Sequence, residues 1–150
     1  MTTINVYLYF NGNCEEAFRY YKSVFNKEFQ YIGYYKDISE VIRQNFPNCK
    51  DEHVMHVALP ISKETILMGA DLIDLNRTVT ISSNKFSLFV SVDDIKEADR
   101  LFNGLSNKGV VKLPMSTQYW GSYYGICVDQ FGVSWKISCS VSIQVIMFIK

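Results

Sequence analysis

The sequence contains an internal repeat, in which two helical segments with the same residue pattern lie 81 residues apart. The pattern E-A-x-R begins at Glu16 and again at Glu97, and an Asn-Lys pair follows each copy, at Asn26 and at Asn107. The stripe of apolar positions between these markers is apolar in both copies. A fixed spacing of this length indicates a duplicated unit, which consists here of a strand, a helix and then several strands.

Hydrophobic periodicity predicts the elements of the first copy. The opening strand, Ile4–Phe10, alternates Ile4, Val6, Leu8 and Phe10 with polar and tyrosine residues, which is typical of a strand buried on one face. Asn13 is predicted to cap a helix that runs to about Phe25. The other predicted elements are the strands Glu28–Tyr35, His53–Leu59, Glu64–Ala70 and a weak strand Thr78–Ile81, with a short helical patch at Ile38–Phe46.

The second copy repeats this order. A strand at Phe86–Val92 is followed by a helix that Asp93 or Asp94 caps and that Gly109 ends. Val110–Met115 begins the next strand. The runs Tyr123–Val128 and Val133–Cys139 flank the turn Asp129–Gly132 and predict a tight hairpin with one apolar and one polar face.

Together these elements predict an α+β fold of two βαβββ modules, at residues 1–75 and 84–139, followed by an apolar tail at 140–150. The modules are expected to form a curved, mostly antiparallel mixed sheet with one main helix backing each module. The tail ends in Ile146-Met-Phe-Ile149, which would be costly to expose. We therefore predict that it packs on the domain surface or on a second copy of the chain.

Charge and cysteine content exclude several classes of partner. Fifteen basic residues balance fifteen acidic residues, so no net field attracts a nucleic acid or a membrane surface. The opening MTTINVYLYFNG has no basic segment and no long apolar run, unlike a secretory signal. The four cysteines include no C-x-x-C pair. We expect reduced, unreactive thiols and a cytoplasmic location.

The sheet face opposite the helices mixes polar and aromatic residues and predicts a shared pocket. Its residues are Asn5, Tyr7, Tyr9, Ser87, Phe89, Ser134, Lys136 and Ser138. This mixture is too polar for a dry core and too aromatic for a plain solvent face. The residues predicted to line a ligand pocket are Tyr7, His56, Ser87, Trp120 and Lys136.

Four of these residues have a second interpretation. His56 either supports the sheet through a hydrogen bond or serves as a pocket donor or general base. Lys136 either anchors an anionic ligand or forms an internal ion pair with a residue such as Asp71. Tyr7 either binds a ligand or fills the barrel. Trp120 either stacks on a ring or closes a dimer seam.

Three segments carry a family resemblance: YLYFNGNCEEAFRYYKSVF, VMHVALPI with ILMGAD, and WGSYYGICVDQFGVSWKI. They resemble the PhnB-like branch of the vicinal oxygen chelate superfamily, which includes glyoxalase I, bleomycin resistance proteins and extradiol dioxygenases. The resemblance implies paired βαβββ modules and a homodimer. It also implies metal ligands at the positions of Asn5, Ser87 and Lys136. None of these is a good ligand, so we expect no metal and no other cofactor.

Three functions remain open at this point. The first is a metal-free protein of the bleomycin-resistance type that binds a small aromatic or anionic ligand. The second is a metal-dependent lyase or isomerase of the glyoxalase type, or an enzyme related to the dioxygenases. The third is a structural dimer module. A methyltransferase name that some relatives carry is disfavoured, because the sequence has no G-x-G-x-x-G loop.

Overall fold

The computed structural model describes residues 2–73 and 86–140, and the chain divides into two compact units, 1–80 and 81–150. We call the described part of each unit module 1 and module 2. Module 1 contains β1 Val6–Phe10, α1 Cys14–Phe25, β2 Tyr31–Tyr34, α2 Glu40–Arg43, β3 Val54–Pro60 and β4 Ile66–Asp71. Module 2 contains β5 Leu88–Val92, α3 Ile95–Ser106, β6 Val110–Thr117, β7 Ser122–Val128 and β8 Ser134–Ser140.

Each module has a four-stranded mixed sheet with the same strand order. The orders are β1-β4-β3-β2 in module 1 and β5-β8-β7-β6 in module 2. The pairs β1–β4 and β5–β8 are parallel, whereas the other neighbouring strands are antiparallel. The predicted α+β fold of two βαβββ modules is therefore confirmed.

One amphipathic helix covers one face of each sheet. The buried residues of α1 are Cys14, Ala17, Phe18, Tyr21, Val24 and Phe25, and those of α3 are Ala98, Leu101, Phe102 and Leu105. Both sets follow the spacing of a single helical face, as predicted. The packing in module 1 is close, because a Cβ on Gly69 of β4 would lie 2.6 Å from Cε2 of Phe18. No helix in the two described ranges is long and apolar enough to cross a membrane.

The predicted starts of β1 and β5 were wrong. Ile4 is 92% exposed and Phe86 is 56% exposed, although both were expected to face the core. Their parallel partners begin at Ile66 and Ser134, so the chain before Val6 and Leu88 has no strand to pair with. There, hydrogen bonds from side chains, instead of backbone pairing, connect the segments.

Several predicted segments are shorter than expected or lie outside the described residues. The strand expected at Glu28–Tyr35 spans only Tyr31–Tyr34, and the helical patch at Ile38–Phe46 is the four-residue α2. The weak strand Thr78–Ile81, the module boundaries at 75 and 84 and the tail beyond Ser140 fall outside the described ranges.

The buried carboxylate of Asp71 connects three segments of module 1. Its Oδ1 accepts hydrogen bonds from the backbone N–H groups of Gly12, at 2.8 Å, and Cys14, at 3.0 Å. Its Oδ2 accepts from the N–H of Val54 at 2.9 Å. Asn13 occupies the N-cap position of α1 as predicted, but its side chain makes no capping hydrogen bond. The carboxylate at the end of β4 therefore caps α1 in its place.

Asp129 has a comparable role at the β7–β8 turn of module 2. Its Oδ1 accepts from the N–H groups of Phe131, at 2.9 Å, and Val133, at 3.0 Å. Its Oδ2 accepts from Nε1 of Trp135 at 2.8 Å. These bonds hold the predicted hairpin turn closed and orient the buried indole.

We expect Asp71→Asn to lower the free energy of unfolding by about 2 to 3 kcal/mol, because an amide NH₂ would face a buried backbone N–H group. Urea denaturation followed by circular dichroism measures the change. Asp51→Asn is the matched control, since the side chain of Asp51 is 76% exposed. Equal stabilities of the two variants would contradict this role for Asp71.

Candidate functional site

The sheet face opposite α1 in module 1 carries clustered aromatic side chains. Alternation along β1 buries Leu8 and Phe10 under the helix and turns Tyr7 and Tyr9 to the other face. Register places Met68 beside Tyr7, Ala58 beside Tyr31, and Gly33 beside His56. We call Tyr7, Tyr9, Tyr31 and His56 the aromatic cluster.

His56 lies between two tyrosines of the aromatic cluster. Its ring stacks on Tyr7 with centroids 5.6 Å apart, and the ring of Tyr31 is 5.9 Å away. The rings of Tyr7 and Tyr9 are 5.2 Å apart. The three tyrosines remain 38%, 49% and 48% exposed, so each keeps part of its surface accessible to solvent.

The hydroxyl of Tyr7 is 3.0 Å from Nδ1 of His56. Burial raises the pKa of Tyr7 above its ordinary value, and Tyr9 and Cys14 raise it further. The phenol therefore stays protonated at neutral pH, and the direction of its hydrogen bond with Nδ1 of His56 depends on the tautomer of the imidazole. In the tautomer with its proton on Nε2, the Tyr7 hydroxyl donates to Nδ1 and Nε2 can donate to a ligand. The hydrogen bond fits both interpretations of His56, as a support for the sheet and as a pocket donor.

The corresponding face of module 2 contains two rows of cross-strand neighbours, each with a polar residue of β8 at its centre. Lys136 lies between Phe89 and Ile126, and Ser138 lies between Ser91 and Tyr124. Lys136 and Ser138 alternate with the buried Trp135, Ile137 and Cys139 along β8. Lys136 is half-buried, whereas the neighbouring Phe89 is 62% exposed.

Trp120 lies in the turn between β6 and β7 of module 2. Its ring is 52% exposed and packs edge-on against Tyr124, with centroids 5.5 Å apart. The following Gly121 has a φ of +93°, which suits a tight turn at this point. Trp120 therefore reaches the same sheet face as the row that contains Ser138.

The predicted site residues are thus distributed over two sheet faces. Tyr7 and His56 are bonded to each other in module 1, and Lys136 and Trp120 belong to one face in module 2. The hydroxyl of Ser87 is already engaged with that of Ser134 at 2.8 Å. Sequence reasoning missed Tyr31 and Tyr124. Register places Tyr124 beside Ser138, which was already assigned to the face, whereas Tyr31 pairs with Ala58 and reaches His56 through its ring.

A family model described as 3-demethylubiquinone-9 3-methyltransferase matches residues 2–138 of this chain. The chain belongs to this family. A solved relative is described as a PhnB protein, and the fold is shared with the glyoxalase/bleomycin resistance protein/dioxygenase group, so the PhnB-like resemblance read from the sequence is confirmed.

Two solved structures cover most of this PhnB-like chain. Protein PA1353 from Pseudomonas aeruginosa has 30% identity and a TM-score of 0.79, covering 93% of this chain and 98% of its own. A Bacillus cereus protein described as a PhnB protein has 26% identity and a TM-score of 0.73, covering 93% and 100%.

Further relatives agree with this assignment. Protein YjdN of Escherichia coli (strain K12) is 25% identical over 141 residues, which is 90% of this chain and 93% of that protein. Two proteins of the glyoxalase/bleomycin resistance protein/dioxygenase group, from Burkholderia phytofirmans and a Frankia species, have 15% and 8% identity and share the fold alone.

The positions that hold metal ligands in the superfamily do not suit a metal ion in this PhnB-like protein. The Oδ1 atom of Asn5 accepts the N–H of Ile66 at 3.0 Å, and Ser87 is bonded to Ser134. Lys136 would repel a cation. In the part of the chain that the structure describes, no group of three His, Cys, Asp or Glu residues could hold a metal ion. These residues therefore do not fit a divalent transition metal.

Asp71, considered as an ion-pair partner of Lys136, has a structural role, and the cysteines considered as nucleophiles are buried. Both carboxylate oxygens of Asp71, the suggested partner of Lys136, accept backbone N–H groups in module 1. His53 accepts the N–H of Lys50 at 2.9 Å and so closes a turn. All four cysteines are free and buried. Burial is the main cause that raises the pKa of Cys14 and Cys139 and that raises the pKa of Cys127 to about 12.

We expect the four buried thiols of the native protein to react with Ellman's reagent at pH 8 only on the time scale of unfolding. Burial restricts access, and the raised pKa values of three of them keep the thiolate population small. In about 6 M urea, which unfolds most small domains, all four thiols should react with the reagent within minutes. Rapid labelling of a thiol in the native protein would instead identify a reactive cysteine.

Proposed function

We propose that this protein is a small-molecule binding protein and that the aromatic cluster of module 1 contacts a planar, aromatic part of its ligand. The observation that carries this proposal is the cluster itself. Two half-exposed tyrosines, Tyr7 and Tyr31, flank His56 on a sheet face that α1 does not cover, and Tyr9 packs beside Tyr7. Rings of this kind supply a large, rigid contact area at a low cost in conformational entropy.

Hydrogen bonding within the cluster supports a preorganised site. The Tyr7–His56 bond fixes the orientation of both rings before any ligand arrives. It leaves Nε2 of His56 available for a polar group of the ligand. An aromatic molecule with one hydrogen-bond acceptor therefore suits this face better than a purely apolar one.

The other predicted residues, Ser87, Trp120 and Lys136, belong to module 2. Lys136 and Trp120 lie on the open face of the module 2 sheet, and Ser87 borders that face through its bond to Ser134. We propose that binding requires no metal ion, because Asn5, Ser87 and Lys136 do not supply ligands for one. We also propose no other cofactor.

We expect a thermal-shift screen of aromatic metabolites to return compounds that stabilise the protein, because a ligand that binds only the folded state raises its melting temperature. For each such compound, Tyr31→Leu should weaken binding about three- to tenfold in isothermal titration calorimetry, since it removes one ring contact. Tyr7→Phe should also weaken binding, because it removes the hydroxyl that orients His56.

Phe29→Leu is the matched control for the Tyr31 variant. Phe29 lies in the same module and near the α1 side chains Arg19 and Lys22, outside the aromatic cluster. The proposal is wrong if no aromatic compound binds, or if Tyr31→Leu and Phe29→Leu have the same effect. Metal analysis after dialysis distinguishes this proposal from the glyoxalase-type alternative, because only the alternative requires a stoichiometric divalent ion.

We further propose that the protein acts as a homodimer in the cytoplasm. Homodimers are what its family resemblance implies, and four buried, unpaired thiols suit a reducing compartment. Light scattering coupled to size-exclusion chromatography should give twice the mass of one chain at micromolar concentration. A monomer mass across the concentration range would contradict the dimer.

A further inference from the structure

We infer that the open face of module 2 binds an oxyanion, a carboxylate or a phosphate group, through the ammonium group of Lys136 and the hydroxyl groups of Ser91 and Ser138. This inference rests on the proposed small-molecule function and names the chemical class of the ligand: an aromatic or amphipathic molecule with one anionic group.

Lys136 is at the centre of the sheet. It lies on β8, which pairs with β5 on one side and with β7 on the other. It is the one charged residue in these three strands. Its direct neighbours, Phe89 and Ile126, are apolar, so nothing on its own row solvates or neutralises the ammonium group.

The ammonium group of the half-buried Lys136 has no partner among residues 2–73 and 86–140. The ion pairs within these ranges involve Arg19, Lys22, Arg43 and Arg100, and the side chain of Lys136 makes no hydrogen bond with a described residue. A partly desolvated lysine without a partner is unfavourable, so such residues are usually paired or exposed. A bound anion would provide the missing charge.

Four of the five acidic side chains in residues 86–140 are engaged elsewhere, and the fifth, Asp93, is exposed in the segment that follows β5. Asp94 caps α3, Glu97 pairs with Arg100, and Asp99 accepts the hydroxyl of Tyr123 at 2.6 Å. Asp129 accepts two backbone N–H groups and the indole of Trp135. No carboxylate belongs to β5, β7 or β8, so these strands present a single positive charge without an opposing one.

Two hydroxyl groups complete the site. Ser138 lies two residues after Lys136 on β8 and points to the same face, and Ser91 is its direct neighbour on β5. The spacing is about 7 Å along a strand and about 5 Å between strands, which an oxyanion with several acceptor oxygens can bridge. Neither serine side chain makes a hydrogen bond within the described ranges. By contrast, Ser87 and Ser134 satisfy each other.

Aromatic rings border this site and define the rest of the ligand. Phe89 is beside Lys136 and is 62% exposed. Tyr124 is beside Ser138 and packs against the exposed Trp120. A ring attached to the anionic group would therefore contact aromatic side chains while its charge meets Lys136, as in an aryl carboxylate or an aryl phosphate.

The decisive experiment compares benzoate with benzamide by isothermal titration calorimetry, because the two probes share a ring and differ in charge. We expect benzoate to bind more tightly, and Lys136→Gln to weaken benzoate about ten- to hundredfold through the loss of a charge-assisted hydrogen bond. Benzamide affinity should change little. Lys136→Arg should retain the preference for benzoate, since it retains the charge. Lys96→Gln, on α3, is the control.

Inorganic phosphate gives a second measurement that does not depend on an aromatic ring. Phosphate should shift the backbone amide signals of Ser91 and Ser138 in ¹H–¹⁵N spectra of the native protein, and Lys136→Gln should abolish the shifts. The inference is overturned if phosphate leaves these signals unchanged while benzoate and benzamide bind equally. It is also overturned if Lys136→Gln and Lys96→Gln behave alike.

The outcomes separate this inference from the proposed function. Aromatic binding that depends on Tyr31 but not on Lys136 or on ligand charge would overturn the oxyanion site and leave the role of the aromatic cluster intact. A benzoate preference that depends on Lys136 but not on Tyr31 would support the oxyanion site and contradict the role assigned to module 1.

Discussion

A single amphipathic helix packs against one face of each four-stranded sheet. Strand side chains that point towards the helix form the core, whereas the alternate side chains point away from it. In module 1 the contact is close enough that Gly69 has no room for a side chain beside Phe18. Side chains alternate along a strand, so residues next to the buried Leu8 and Phe10 must point away from the helix. The open faces follow directly from this packing.

Buried aspartates stabilise the connections that the sheets alone would leave loose. Asp71 joins the N-terminus of α1 to β3 from the end of β4, and Asp129 closes the β7–β8 turn. Each carboxylate accepts several N–H donors that are buried from water, so replacing it leaves donors unsatisfied. The two residues occupy different places in their modules. The duplicated modules therefore use a buried aspartate at different connections.

The two modules differ most on their open faces. Tyr7 of β1 has Met68 as its neighbour on β4, whereas Phe89 of β5 has Lys136 as its neighbour on β8. The first face is an aromatic cluster organised by a tyrosine–histidine hydrogen bond. The second has a lysine, serine hydroxyls and exposed aromatic rings. The helix-facing positions, in contrast, are apolar in both modules. The two modules therefore diverge on the faces that their helices do not cover.

The sequence by itself determined the duplication, the two amphipathic helices and the alternation that assigns strand residues to a face. These are local periodicities, and a short window of residues contains them. It also excluded good metal ligands at Asn5, Ser87 and Lys136, because side-chain chemistry does not depend on the fold. Only the tertiary structure decided that Asp71 caps α1, that Tyr7 bonds to His56 and that Tyr31 joins them. These contacts connect residues that are far apart in the chain: Tyr7 and His56 are 49 positions apart, Gly12 and Asp71 are 59 apart, and Tyr31 and His56 are 25 apart (56 minus 31). Strand order and register set such contacts, and no local pattern encodes them.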